Sequence, residues 1–192
     1  MQMNLELIKQ SFNRLVVLSE EEWLVVLSHM QFKTYLKGEM LLRHDEVCKS
    51  ISYLLNGSVI YYQQNEKGDE ITTDFAFEGE WVTDNRSRIS RTPSHLNIKA
   101  FEETHVAIIQ QNDLEELFRK VPATERMGRL LIEQAYIKIV QISLDLQTLS
   151  AEERYQKLIA GSPQAFQRLP LYHIANYLGI APKSLSRIRN KR

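Results

Sequence analysis

Residues 171–188, LYHIANYLGIAPKSLSRI, decide how this chain is read. Apolar side chains recur at Ile174, Leu178, Ile180, Leu185 and Ile188, with the small residues Ala175 and Gly179 among them. Pro170 and Pro182 can each open a helix, because the amide a proline lacks would be unbonded in a first turn anyway. Ala175 lets a second helix cross closely, and Gly179 supplies the left-handed backbone of a tight turn. The spacing therefore predicts a helix-turn-helix. In its second helix Leu185 and Ile188 share the inward face, which leaves Lys183, Ser184, Arg187 and Lys191 outward. Cations and a hydroxyl with no carboxylate among them suit phosphates and the guanine edges of a DNA major groove. Arg189, Lys191 and Arg192 extend the same chemistry to the backbone. Ala181 is a weak N-cap where serine or threonine is usual. An ordinary helical hairpin in a bundle is the alternative origin of the pattern.

Charge is distributed to match. The 192 residues carry 24 basic and 24 acidic side chains. From Arg168 onward there are six basic residues and no acidic one, so the tail is +6 and residues 1–167, with 18 basic against 24 acidic, are −6. Such asymmetry points to a body that avoids polyanions and an end that seeks them. At 43% hydrophobic and 25% charged the composition is that of a globular protein, of one or two modest domains. Cys48 is the only cysteine, which excludes an internal disulfide and an iron-sulfur or thiolate-rich metal site, since those need about four ligands. The longest apolar run, residues 23–27, is five long, where a membrane span needs about 20. The start, MQMNLELIKQ, lacks a secretory pattern, so a cytoplasmic location and no membrane partner are expected.

Upstream, residues 5–30 have the three- and four-residue apolar spacing of helices, and Ser19 with Glu22 forms a capping box. Residues 32–110 change to short β segments punctuated by Gly38, Gly57, Gly68 and Gly79, with NEKGDE as a hairpin loop; a sandwich or barrel is expected. A short helix should begin at Asn112 or Asp113, and a long one at Pro122, running to about Thr148. The long helix has two apolar faces. Leu130, Ile137, Val140 and Leu144 form one, read as a dimer seam; Leu131, Ala135, Ile139, Ile142 and Leu146 form the other, read as covering the chain's own β domain. Glu133, Gln141 and Gln147 interrupt the seam, so a two-sided core helix is the alternative. Ser150 and Glu153 make a second capping box, opening a helix that ends at Gly161. The expected fold class is α+β: a sensor β-roll with N-terminal helices over 1–121, a long dimerisation helix over 122–149, and a helix-turn-helix over 150–192.

This order of parts resembles the Crp/Fnr transcription regulators, the group containing the cyclic-AMP receptor protein. The likeness covers nearly the whole chain and rests on KGEMLLRHDEVCKSISYLLNGSVIYY, FEGEW, the long helix and LGIAPKSLSRIR. Gly38, Gly57 and Gly79 fall at family turn glycines, while Asp45 stands where another glycine is common. The resemblance implies a homodimeric regulator that binds a pseudo-palindromic double-stranded DNA operator through Lys183, Ser184 and Arg187, senses a small-molecule effector in the β-roll, and contacts RNA polymerase. Glu80 matches the carboxylate that contacts ribose in cyclic-nucleotide binders. Ser94 and His95, however, stand where the phosphate-gripping Arg-Ser/Thr pair belongs, so cyclic AMP is not expected to bind in the usual way. Arg86, Arg88 and Arg91 in the intervening segment are either replacement phosphate ligands or a solvated loop. The sequence stops four residues beyond Ile188, so the β-hairpin wing that often follows the motif is expected to be absent.

No catalytic residue or metal site is assigned. A cupin-type metal enzyme would need clustered ligands, but His44, His95 and His105 are scattered, and no G-x-S-x-G, P-loop or HExxH motif occurs. A sensor acting through protein partners in place of DNA is the other alternative. A haem ligand among these histidines stays open, and no other cofactor is assigned beyond a small-molecule effector.

Overall fold

The computed structural model describes residues 5–190. In chain order the elements are α1 (Leu5–Asn13), α2 (Glu20–Ser28), β1 (Gln31–Tyr35), β2 (Met40–Leu42), β3 (Ser50–Asn56), β4 (Val59–Gln64), β5 (Glu70–Ala76), β6 (Trp81–Val82), α3 (Asn85–Ser90), β7 (Asn97–Ala100), β8 (Thr104–Gln110), α4 (Gln111–Lys120), α5 (Pro122–Thr148), α6 (Ala151–Gly161), α7 (Pro163–Arg168), α8 (Leu171–Tyr177) and α9 (Pro182–Asn190). The fold class is α+β. Two compact units divide the chain: one takes residues up to 63 with 75–132, the other 64–74 with everything from 133 onward. Strand β5 and helix α5 each contribute to both.

Two four-stranded sheets, ordered β1-β8-β3-β6 and β2-β7-β4-β5, form the β-roll, which apart from the first residues of β5 and the end of β4 belongs to the first unit. Alternation along β3 and β8 explains how the roll is held. Leu54, Val106 and Ile108 point into a core shared with Leu42, Val59, Val82, Ile98 and Ala100. Their neighbours Tyr53, Leu55, Ala107 and Ile109 point the opposite way, into a core closed by Ile8, Phe12, Trp23 and Val26 of the N-terminal helices and Leu114, Leu117 and Met127 of α4 and α5. Successive strand residues face opposite sides, so a strand with both faces buried reads as a continuous apolar run, as YLL at 53–55 does. The capping box at Ser19 forms, with the Glu22 amide donating to the Ser19 hydroxyl and the Ser19 amide to the Glu22 carboxylate.

Two turns need particular residues. Gly57, at φ 94°, joins β3 to β4, and a Cβ there would lie 2.5 Å from Thr104 Oγ1 and 2.6 Å from the Glu103 carbonyl. Asp45, at the position where the related family favours glycine, takes the left-handed conformation glycine would have had, φ 65°. The segment bearing Arg86, Arg88 and Arg91 is not a solvated loop throughout: Asp84 caps α3 by accepting from the Ser87 amide, and Arg91 ends it in the left-handed region.

The second unit is helical apart from residues 64–74. Tyr155, Ala165, Leu169, Ile174, Ala175, Leu178 and Leu185 are buried, and the Tyr155 and Phe166 rings meet edge to face with centroids 5.3 Å apart. The Ser150–Glu153 capping box forms as well. Among the described residues no helix is long and apolar enough to cross a membrane.

Gly57→Ala combines a left-handed backbone with overlap against rigid atoms of Thr104 and Glu103. It is expected to cost about 2 to 4 kcal/mol, seen as a lower urea midpoint with an unchanged slope. A loss under about 0.5 kcal/mol, the range of a neutral surface change, would contradict the geometry.

Candidate nucleic-acid interface and effector site

Helices α8 and α9 are joined by the turn that the glycine spacing predicts. Gly179 has φ 67°, its amide donates to the Asn176 carbonyl, and the Ile180 amide donates to the Ala175 carbonyl. Ala175 is fully buried at the crossing, and Leu185 anchors α9 beneath. Ser184 and Leu185 amides both donate to the Ala181 carbonyl, so α9 starts without a side-chain cap. Lys183, Arg187 and Arg189 are exposed and Ser184 is half-buried, its hydroxyl accepting from Arg187 Nη2 at 3.5 Å. No acidic residue lies on α9. Lys191, and Arg192 with it, falls outside the described residues.

Sequence reasoning passed over the contacts that hold α8. His173 is buried, and its Nδ1 is hydrogen bonded at 2.6 Å to the hydroxyl of buried Thr72 on β5. Asn176 donates from its side chain to the Glu70 carbonyl at 3.1 Å, and the Tyr172 ring stacks on His173 at 3.8 Å. On α5, Lys138 pairs with Asp74 at 2.9 Å. A histidine followed one helical turn's reach later by asparagine was the available signal, but nothing local in the sequence points to residues 100 positions earlier.

Along α5 the half-buried stripe is Leu131, Ala135, Ile142 and Leu149. Ile139 and Leu146, expected on the face toward the β domain, are instead 65% and 48% exposed, because the stripe is one side chain wide. Ile132, Ile139 and Leu146 follow at seven-residue intervals, flanked by Tyr136 and Val140, with Ile137 and Leu144 on the far flank. All seven are exposed, whereas Leu130 is half-buried.

The residues expected at the effector site lie around α3. Ser94 is fully buried; its hydroxyl donates toward Asp84 Oδ2 at 2.8 Å and accepts from the Leu96 amide at 3.1 Å. His95 is exposed, with its ring centroid 6.5 Å from that of His44. Arg86 is exposed and donates to the Pro93 carbonyl at 2.6 Å. Arg88 donates to Gln111 and Asn85, while its Nε is buried without a partner; burial pushes its pKa below the ordinary value, with the Cys48 thiol opposing that shift. Glu80 accepts from the Phe77 amide, closing its own turn. Arg91 pairs with Glu115. The histidines are engaged locally, His44 with Asp45 and His105 with Thr34 and Glu103. Among the described residues no group of three or more His, Cys, Asp or Glu side chains could hold a metal.

Residues 32–121 match the family model of the cyclic nucleotide-binding domain. Electron transport regulator A of Shewanella oneidensis is 26% identical over 79% of this chain and 64% of its own. The fumarate and nitrate reduction regulatory protein of Escherichia coli K12 is 27% identical over 79% of this chain and 64% of its own. The chain thus spans a little under two thirds of these curated relatives. FixK2 of Bradyrhizobium japonicum shares the fold with a TM-score of 0.73 at 18% identity, over 84% of this chain and 83% of that one. Residues 32–121 thus match a cyclic nucleotide-binding domain, the chain is similar over 79% of its length to Fnr-type regulators, and its backbone shares the fold of FixK2.

Proposed function

We propose that this chain is a homodimeric, DNA-binding transcription regulator in which α9 reads the major groove. The observation that carries the reading is the exposed face of α9, where Lys183, Arg187 and Arg189 stand on a helix with no carboxylate, presented by a turn whose glycine and buried alanine fit a helix-turn-helix. Lys183 and Arg189 are placed for phosphates, and Arg187 with Ser184 for base edges. Lys191 extends the phosphate set. Two copies joined along α5 bring two such helices to half-sites about 10 base pairs apart. The dimer seam takes in Ile137, Val140 and Leu144, with Leu130 at its border, and the row Ile132, Ile139 and Leu146 broadens it. RNA polymerase is the expected protein partner of the DNA-bound form.

Effector recognition in the β-roll departs from the cyclic-AMP pattern. The Ser94 hydroxyl is committed to Asp84 and to the Leu96 backbone, and turning it toward a phosphate would take its hydrogen bond from Oδ2 of the buried Asp84, leaving the Ser87 amide on Oδ1. Asp84 itself is a negative group where a cyclic phosphate needs positive ones. Arg86, Arg88, Glu80 and His95 are the polar groups proposed for a different small molecule, which would exchange the contacts that Arg86, Arg88 and Glu80 already make. A sensor acting through protein partners is the second reading, favoured only by the mixed polarity of α5.

Operator selection from random duplexes should enrich a pseudo-palindrome. If about six phosphates are neutralised per site, log affinity falls with log salt at a slope near −5, whereas a protein interface responds far less. Arg187→Ala should cost about 1 to 3 kcal/mol on the best operator and relax one base preference. Equal affinity of both proteins would remove Arg187 from the reading set. Ile139→Glu, on the exposed row of α5, should convert a sedimenting dimer to a monomer at micromolar concentration; a parent that is itself strictly monomeric defeats the seam. Titration with cyclic AMP should leave operator affinity unchanged, and a rise of tenfold or more would restore the usual ligand.

A further inference from the structure

Arg154 lies in the first turn of α6 and is half-buried. Its Nη1 donates to the Leu149 carbonyl at 2.6 Å, just past the end of α5. From the other side of the guanidinium, Nε and Nη2 both donate to the Leu178 carbonyl, at 3.3 and 3.1 Å. Leu178 closes α8, so both acceptors are helix-end carbonyls that lack an intrahelical donor and carry the negative end of a helix dipole. One planar group thereby joins the end of α5, the start of α6 and the turn that launches α9. At the same joint Lys157 pairs with Asp145 at 2.5 Å, and Leu146 Cδ2 sits where a Cβ on Gly179 would be 3.5 Å away. In that pair the lysine is half-exposed and Asp145 is 13% exposed, and a single ammonium sets no direction. The fork of Arg154 is the directional element, since five fixed N–H vectors constrain an angle in a way one ammonium does not.

We infer that Arg154 is a positioning residue for operator recognition: by tying the end of α5 to the α8–α9 turn it fixes the direction in which α9 leaves the dimer helix, and so the half-site spacing that a dimer accepts. The inference rests on the DNA-reading function proposed above. Arg154 faces carbonyls of its own chain, so it adds nothing to the count of phosphate contacts.

The test is a selection among operators with identical half-sites whose central spacing varies one base pair at a time, using the full chain, Arg154→Gln and Arg154→Lys. The parent should prefer one spacing. Arg154→Gln should lose about tenfold of that discrimination, while affinity for random duplex and the salt slope stay as in the parent. Arg154→Lys keeps the charge and the aliphatic stem but reaches one carbonyl at most, so it should lose discrimination too. Affinity falling equally at every spacing, or a lysine variant with the parent's spacing preference, overturns the positioning role. Should the glutamine variant not fold by circular dichroism, the lysine variant decides alone. A parent that selects no operator at all defeats the DNA-reading function instead, so the two failures are separable.

Discussion

Burial of β3 and β8 on both faces is the constraint from which the first unit follows. A sheet that is apolar on two sides cannot stand at the edge of a protein, so it must be covered by a second sheet on one side and by helices on the other. Tyr53 and Leu55 against Leu54 are enough to require both covers. The N-terminal helices are therefore part of the β-roll's structure. Tyr53 shows how closely they are joined: its ring packs on Trp81 at 5.0 Å and its hydroxyl donates to the Leu7 carbonyl in α1.

Much of this was legible in the chain because it is encoded locally. Both capping boxes need only a serine and a glutamate three residues on, and both form. The turn at Gly179 needs a glycine at one offset from a small residue, and its backbone is left-handed as required. Helix α3 was not legible as a helix, since six residues with one apolar side chain show no period; the one clue was Asp84 three positions before Ser87, a capping spacing. Thr72 with His173 and the two carbonyls held by Arg154 are long-range contacts, which no periodicity reports. The width of the covered stripe on α5 was also misjudged, because a count of apolar positions does not distinguish a face that is buried from one that merely could be.

Residues 32–121 keep the likeness to the cyclic nucleotide-binding domain while the segment around α3 has its own capping and hydrogen bonds. The roll is specified by strand alternation and by turn residues such as Gly57, and it meets the residues around α3 through the Asp45 amide on the Ser94 carbonyl and the Leu54 amide on the Glu80 carbonyl. Around α3, Asp84 accepts from the Ser87 amide and the Ser94 hydroxyl, and the Cys48 amide donates to the Ser87 hydroxyl.

Strand β5 and helix α5 each start in one compact unit and end in the other, so the polypeptide passes between them three times. The C-terminal unit is consequently not a contiguous module. Transplanting residues 133–192 onto another sensor would leave behind Thr72 and the Glu70 carbonyl, stripping His173 and Asn176 of the groups that satisfy them inside α8. Modular shuffling of this half among regulators must carry the hairpin with it, or supply a replacement strand bearing a hydroxyl at the same height.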